Sequence, residues 1–231
     1  MKHLIETTNP SGLTRVDYDR IILDSTTNEI VYREGGYEYV DLGLSVKWAK
    51  CNVGAEKETD AGLYFAWGET TGYTASQVRT DKHFSESDYK YGNSNNNLTK
   101  YNQSDGKTVL ESTDDAASQI MGGDWRMPTE ADFDELLSGT TNEWVTNHNG
   151  TGVNGWKFTH KTDTSKYIFI PAAGNCYDGS VYGVGSYGSV WSSSLYTSDH
   201  YTALNLYFVS GYCYMGSSRR YYGQSVRGVR K

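Results

Sequence analysis

The chain has 231 residues, 37% of them apolar and 21% charged, which allows one large domain or one domain with a small appendage. Tyrosine is over-represented, with 20 Tyr against 6 Phe and 6 Trp, and an aromatic content of 14% excludes a disordered chain. The net charge of −7 argues against nucleic acid as a partner. No apolar run approaches the roughly 18 residues of a membrane-spanning helix, so we expect no membrane insertion.

The first 36 residues differ from the rest and predict a short N-terminal β-hairpin element. Residues 16–24 and 29–33 have the composition of two strands around a turn at 25–28, and Glu34-Gly35-Gly36 suits a hinge. An isolated two-stranded hairpin is marginal in water. We therefore expect residues 1–36 to attach the chain to another copy of itself or to a virion partner. The start of the chain lacks the apolar stretch of a secretory signal peptide.

Residues 37–231 predict a single α+β domain with about two helices and many short antiparallel strands. The polar segment 70–107 is expected to be an irregular surface excursion. Thr113 is positioned to cap a helix at 114–121, which Gly122-Gly123 would end. Short strands and turns are predicted after Trp144.

A second helix is predicted at 130–137. Thr129 is its expected cap and Asp132 stands at the capping-box position. Four indoles, in motifs typical of packing anchors, are expected to be largely buried: Trp48, Trp67, Trp125 and Trp191.

The sequence offers no catalytic or metal-binding constellation, and we expect no catalytic residue, no metal and no cofactor. Residues 183–188 match GxGxxG, but no helical pattern follows, so the glycines favour tight turns over a nucleotide site. The five histidines form no HExxH pair. Cys51, Cys176 and Cys213 are far apart without a CxxC, which predicts reduced, packed thiols.

Eight blocks of residues occur in the order of a known family. They are YVDLGL (39–44), KWA (47–49), CNVGA (51–55), YFAWGET (64–70), WRMPT (125–129), FIPAAG (169–174), WSSS (191–194) and GQSVR (223–227). Across about 37–231 the chain resembles the Fibrobacter succinogenes major paralogous domain of gut Bacteroides proteins. The resemblance implies a C-type-lectin-like fold related to formylglycine-generating enzymes. The calcium-site tripeptides of animal lectins and the paired catalytic cysteines of those enzymes are absent, so neither activity is carried over.

The C-terminal stretch also resembles the variable region of proteins diversified by a retroelement, here about 175–223. Mutation of adenines in Asn codons gives residues such as Tyr, Ser, Asp and His but never Lys or Glu. No Glu follows Glu143, no Lys lies between Lys166 and Lys231, and 10 of the 20 tyrosines lie within 177–222. Trp191, Met215 and Gln224 cannot arise by this route and are expected to be fixed framework. The alternative is an ordinary Tyr- and Ser-rich surface without a retroelement.

Alternation along 204–208 predicts that Leu204, Leu206 and Phe208 face a core while Asn205 and Tyr207 face outward. Tyr212 and Tyr214 should share one face of the next strand. Tyrosine and serine are also the residues of antibody paratopes. The predicted ligand-binding residues are Tyr196, Ser198, Asp199, His200, Tyr201, Asn205, Tyr207, Tyr212, Tyr214, Ser217, Ser218, Tyr221 and Tyr222.

These observations favour a non-enzymatic receptor-binding protein that recognises a protein or glycan ligand on a cell surface. The expected location is a phage virion, as part of the tail. A bacterial surface adhesin or lectin is the first alternative. An enzyme of another class, a relict formylglycine-generating-like oxidase, is the second, and its activity would depend on Cys213.

Overall fold

The computed structural model describes residues 20–23, 30–33, 37–94 and 96–231, which form a mixed α+β fold. Its helices are α1 (Ala116–Met121) and α2 (Glu130–Gly139). Its strands are β1 (Arg20–Leu23), β2 (Ile30–Arg33), β3 (Tyr39–Val40), β4 (Lys47–Asn52), β5 (Tyr64–Phe65), β6 (Thr140–Val145), β7 (Gly155–His160), β8 (Tyr167–Pro171), β9 (Asn175–Tyr177), β10 (Ser180–Tyr182), β11 (Tyr187–Leu195), β12 (Thr202–Val209), β13 (Tyr212–Arg219), β14 (Gln224–Ser225) and β15 (Arg227–Arg230).

The strands form a central sheet and several smaller ones, mostly with antiparallel pairing. The central sheet has the order β13-β12-β11-β14-β5, and only its β11–β14 pair is parallel among the described strand pairs. Two three-stranded sheets, β15-β4-β3 and β6-β7-β8, and the two-stranded pair β10-β9 accompany it. The predicted α+β class with about two helices is confirmed.

The N-terminal strands β1 and β2 pair antiparallel, from Arg20 opposite Arg33 to Leu23 opposite Ile30. Within the described residues this agrees with the predicted hairpin. The predicted turn at 25–28 and the hinge at 34–36 lie outside the described residues. The attachment role of residues 1–36 stays a prediction.

Helix α2 begins as its sequence predicts. The Thr129 hydroxyl accepts a bond from the Asp132 amide at 3.3 Å, and the Asp132 carboxylate accepts one from the Thr129 amide at 2.7 Å. These two amides have no backbone partner within the helix, and the side chains supply one for each. The capping box therefore fixes the start of the helix. The helix continues to Gly139, two residues further than expected.

Helix α1 has a different cap from the predicted Thr113. Residues 112–114 form a separate 3-10 turn, and the Asp115 carboxylate accepts a bond from the Ser118 amide at 2.8 Å. The same carboxylate also accepts the Met127 amide at 2.8 Å, which ties the helix start to the next segment. This second partner explains why Asp115 is the cap. Gly122, with φ +70°, ends the helix as expected.

Two hydrophobic clusters lie on opposite faces of shared strands. On β11, Val190 belongs to one cluster and Trp191 to the other, and on β4 the same division separates Trp48 from Ala49. Successive side chains of a strand point to opposite faces, so each strand supplies both cores. Trp48, Trp67, Trp125 and Trp191 are all buried, as predicted.

The segment 70–107 is irregular, as expected, but it is more than a surface excursion. The structure gives it a single 3-10 turn, Glu86–Asp88, within its described residues. Its aromatic side chains Phe84, Tyr89, Tyr91 and Tyr101 are nevertheless buried in the first hydrophobic cluster. The segment therefore carries a share of the core that its polar composition does not indicate.

Candidate ligand-binding surface

The hairpin β12–β13 carries the centre of the candidate site. A two-residue turn, Ser210-Gly211, joins the strands and places Val209 opposite Tyr212 and Tyr207 opposite Tyr214. Residues two apart on a strand share a face, so Tyr212 and Tyr214 emerge together. Their exposed fractions are 55% and 48%, which confirms the expectation of two outward rings.

These rings belong to a chain of tyrosines that crosses three strands. The ring centroids of Tyr212 and Tyr214 are 5.8 Å apart, those of Tyr214 and Tyr207 5.7 Å, and those of Tyr207 and Tyr187 5.6 Å. Such distances are typical of favourable aromatic pairs. Strands β13, β12 and β11 are thus bridged on one face by tilted and edge-on ring contacts.

A second chain of tyrosines lies beside the first. Tyr177 stacks between Tyr182, at 4.3 Å, and Tyr222, at 5.2 Å, and Tyr221 follows at 5.0 Å from Tyr222. The Tyr187 hydroxyl donates a bond of 2.7 Å to Asn175 on the same short strand as Tyr177, which joins the two chains. We call these side chains the tyrosine surface: Tyr177, Tyr182, Tyr187, Tyr207, Tyr212, Tyr214, Tyr221 and Tyr222.

Burial keeps three hydroxyls of this surface neutral in ordinary buffers. Burial raises the pKa of Tyr187 to about 12, and burial also raises the pKa values of Tyr207 and Tyr221. A neutral phenol both donates and accepts hydrogen bonds. An ion pair joins Arg219, at the end of β13, to Asp199 at 3.1 Å. The surface therefore offers aromatic rings to a ligand and, at Tyr187, Tyr207 and Tyr221, uncharged hydroxyls.

Two of the thirteen predicted binding residues are buried, contrary to expectation. Tyr201 is 4% exposed and Asn205 is 1% exposed. Asn205 pairs with Trp191 on β11, and Trp191 is fully buried. This end of the sheet face is therefore covered by the core. The prediction that Asn205 faces outward is therefore wrong. Tyr201 lies behind Tyr221, with ring centroids 5.8 Å apart.

The other predicted residues divide into three groups. Tyr207, Tyr212, Tyr214, Tyr221 and Tyr222 belong to the tyrosine surface, and Ser218 shares its face of β13. Ser217 pairs with Leu204 and lies on the opposite face. The remaining four are at least partly exposed in the loop before β12: Tyr196, Ser198, Asp199 and His200.

Sequence reasoning missed three members of the tyrosine surface, Tyr177, Tyr182 and Tyr187. A signal was present, because all three lie within the predicted variable region. The glycine motif at 183–188 forms a turn that leads into β11. A Cβ at Gly183, with φ +73°, would lie 1.8 Å from the Tyr187 ring, so the glycine makes room for that tyrosine.

The described residues hold no cluster of three His, Cys, Asp or Glu side chains that suits a metal ion. All three cysteines are free thiols. Burial raises the pKa of Cys213 to about 12, so this thiol stays protonated at neutral pH.

Comparison of the chain with family models, with curated proteins and with solved structures finds no match. In the part of the chain that the structure describes, no helix has the length and apolar character needed to cross a membrane.

Proposed function

We propose that this protein is a non-enzymatic ligand-binding protein whose tyrosine surface contacts a receptor on a cell surface. The observation that carries the proposal is the continuity of eight tyrosines across β9 to β13 and the segment that follows β13. On a surface without a binding role, exposed aromatic side chains would be expected to lie scattered singly.

The physical chemistry of tyrosine supports recognition at this surface. Each ring brings a large rigid contact area with only two side-chain torsions to order, and each hydroxyl can satisfy a polar group of the ligand. The rings contact one another before any ligand arrives. This pre-organisation reduces the entropy cost of binding.

The scaffold that we propose is a C-type-lectin-like domain of the Fibrobacter succinogenes major paralogous type. Its α+β class, with two helices and mostly antiparallel strands, is compatible with that fold. We propose further that a retroelement diversifies about 175–223 and that the protein acts in a phage tail. A bacterial surface adhesin is the alternative setting.

The oxidase alternative is less favoured by the chemistry of its required thiol. A nucleophilic or copper-binding cysteine acts as thiolate, and such cysteines have lowered pKa values. Burial instead raises the pKa of Cys213 to about 12. A thiol-dependent activity that is lost in Cys213→Ser would restore this alternative.

Cell binding by a matched pair of variants tests the proposal. The labelled protein would be added to a panel of gut bacterial strains and bound fluorescence measured by flow cytometry. We expect the variant with Tyr207, Tyr212, Tyr214 and Tyr222 all replaced by serine to lose binding, because aromatic anchors each carry about 2 kcal/mol or more. Ile120→Ser, at an exposed apolar side chain outside the tyrosine surface and outside the thirteen predicted binding residues, is the control and should bind normally.

Equal binding by the four-tyrosine variant and the wild type would refute the proposed surface.

The proposed diversification by a retroelement is tested separately, in the flanking DNA. We expect a reverse-transcriptase gene and a near-repeat of the 3′ end of the coding sequence. Their absence would remove diversification from the proposal and leave ligand binding standing.

A further inference from the structure

Strand β13 is the outer strand of the central sheet. β12 is its only partner strand among the described elements. Because a two-residue turn places Val209 and Tyr212 in a mutually hydrogen-bonded pair, Tyr214, Gly216 and Ser218 also bond to β12. The bond of 3.2 Å from the Arg220 amide to the Tyr201 carbonyl continues the same alternation.

The intervening residues Cys213, Met215 and Ser217 therefore direct their backbone N–H and C=O groups away from the sheet. Within the described residues, these groups have no backbone or side-chain partner. Natural proteins protect such edges with charged side chains, proline, bulges or a covering element. The ten residues from Val209 to Ser218 contain no charged residue and no proline, and the β12–β13 register has no bulge.

We infer that β13 pairs with β13 of a second copy of this chain, antiparallel and across a twofold axis at Met215. Each copy then supplies three residues, Cys213, Met215 and Ser217, whose free backbone groups match those of the other. A twofold interface is self-complementary by construction. The inference does not depend on the proposed function.

The side chains on both faces are compatible with this register. Tyr214 of one copy lies opposite Gly216 of the other, and Tyr212 lies opposite Ser218. A Cβ at Gly216 would make ordinary van der Waals contact, at 3.5 Å, with the Tyr214 ring of its own chain, and its absence leaves the position open to the Tyr214 ring of the other copy. Aromatic residues beside edge glycines are a known stabilising combination in sheets.

Charge favours this strand over other parts of the surface as the meeting place of two copies. The whole chain has a net charge of −7, so most approaches of two copies bring like charges together. The edge itself is neutral from Val209 to Ser218. At its end, Arg219 would lie opposite Gly211 and is already paired with Asp199.

The pairing would join two tyrosine surfaces into one. Tyr212, Tyr214 and Ser218 lie on the same face in both copies, so the central sheets would form one continuous sheet with rings on both sides of the axis. A ligand with repeated epitopes would then be bound at two points, which raises apparent affinity.

The oligomeric mass of the full chain tests the inference by light scattering across a concentration series. We expect the wild type and Ser217→Ala to reach twice the 25.8 kDa of one chain. We expect Ser217→Pro to remain at 25.8 kDa, because proline removes only the outward N–H and leaves the bonds to β12. A wild type that stays monomeric, or a Ser217→Pro variant that dimerises, would overturn the inference.

A cross-linking pair keeps the test decisive if Ser217→Pro fails to fold. The double variant Tyr212→Cys/Ser218→Cys places thiols opposite each other between copies, while within one chain they are about 20 Å apart, too far for a disulfide. We expect mild oxidation to give a covalent dimer. The control Tyr212→Cys/Ser217→Cys has its second thiol on the opposite face and should give none. Both pairs are made in a Cys213→Ser background, because the native Cys213 thiol of one copy would otherwise lie opposite residue 217 of the other. Equal cross-linking of the two pairs, or no cross-linking of either pair, would contradict the proposed register.

Discussion

The guanidinium of Arg220 lies over the indole of Trp67, with its carbon 4.9 Å from the ring centroid, and both side chains are fully buried. Its nitrogens donate to the Tyr89 hydroxyl at 2.8 Å and to the carbonyls of Lys100 and His200 at 3.0 Å. A buried cation is stable only when its donors are satisfied. Arg220 thus fastens the end of β13 to the segment 84–101.

We expect Arg220→Ala to lower the free energy of unfolding by about 3–5 kcal/mol, because it leaves a cavity and several buried acceptors without a donor. Arg220→Lys should rescue little, since an ammonium lacks the planar fork that reaches these partners at once. Urea denaturation measures both variants. A lysine variant as stable as the wild type would show that charge alone matters at this position.

Asp114 should make stability depend on pH in the acidic range. Although burial opposes its ionisation, hydrogen bonds from Lys100, Tyr91 and Tyr101 hold the pKa of Asp114 well below 3.8. Because the folded-state pKa is the lower one, the contribution is complete above about pH 4 and is lost as pH falls through the folded pKa. Asp114→Asn should cost about 2–3 kcal/mol near pH 7.

The measurement compares urea midpoints of Asp114→Asn and the wild type between about pH 7 and pH 2. We expect the difference between the two proteins to shrink as the pH falls below 4. Asp134→Asn is a suitable control, since the Asp134 side chain is exposed on helix α2. A difference that stays constant over the whole range would rule out the ionised Asp114 as its source.

Replacement by serine should reduce stability much more at Tyr201 than at Tyr214. Tyr201 is buried, so Tyr201→Ser should cost about 3 kcal/mol or more of stability through the cavity that it leaves. Tyr214 is 48% exposed, and Tyr214→Ser should change stability by about 0.5 kcal/mol. Thermal melts distinguish the two. Similar losses in both variants would mean that Tyr214 supports the fold as much as Tyr201 does.

Local patterns were sufficient for the features that depend on neighbours in sequence. The capping box of Thr129 and Asp132 lies within four residues, and the strand alternation of Leu204, Leu206 and Phe208 spans five. In both cases the physical cause is contained in the pattern itself. The structure agrees with the predicted helix start and with the burial of all three side chains.

Features that depend on distant partners could not be predicted in the same way. Asn205 alternates correctly with its neighbours, but its exposure is decided by Trp191 on the adjacent strand. The burial of Arg220 depends on Tyr89 and Lys100, more than 100 positions away. Tyr187 meets Asn175 only because the intervening glycine turn returns the chain. A single sequence shows that these residues are present, but it does not show which distant residues they contact.

Substitutions of framework residues should reduce stability far more than substitutions in the tyrosine surface. Trp191 is fully buried and its indole N–H donates a bond of 2.8 Å to the Phe65 carbonyl, while Leu206 is fully buried in the second cluster. Trp191→Ala should cost about 3–5 kcal/mol and Leu206→Ala about 2–5 kcal/mol, because neither cavity can collapse fully.

The variant with four tyrosines replaced, at 207, 212, 214 and 222, should lose far less stability than either core variant. All four side chains are at least partly exposed, so their loss opens no interior cavity. Denaturant midpoints of the three proteins, measured beside their cell binding, separate the two roles. If the four-tyrosine variant unfolded as readily as Trp191→Ala, these rings would be part of the framework, and the tyrosine surface would have no claim to be a binding face.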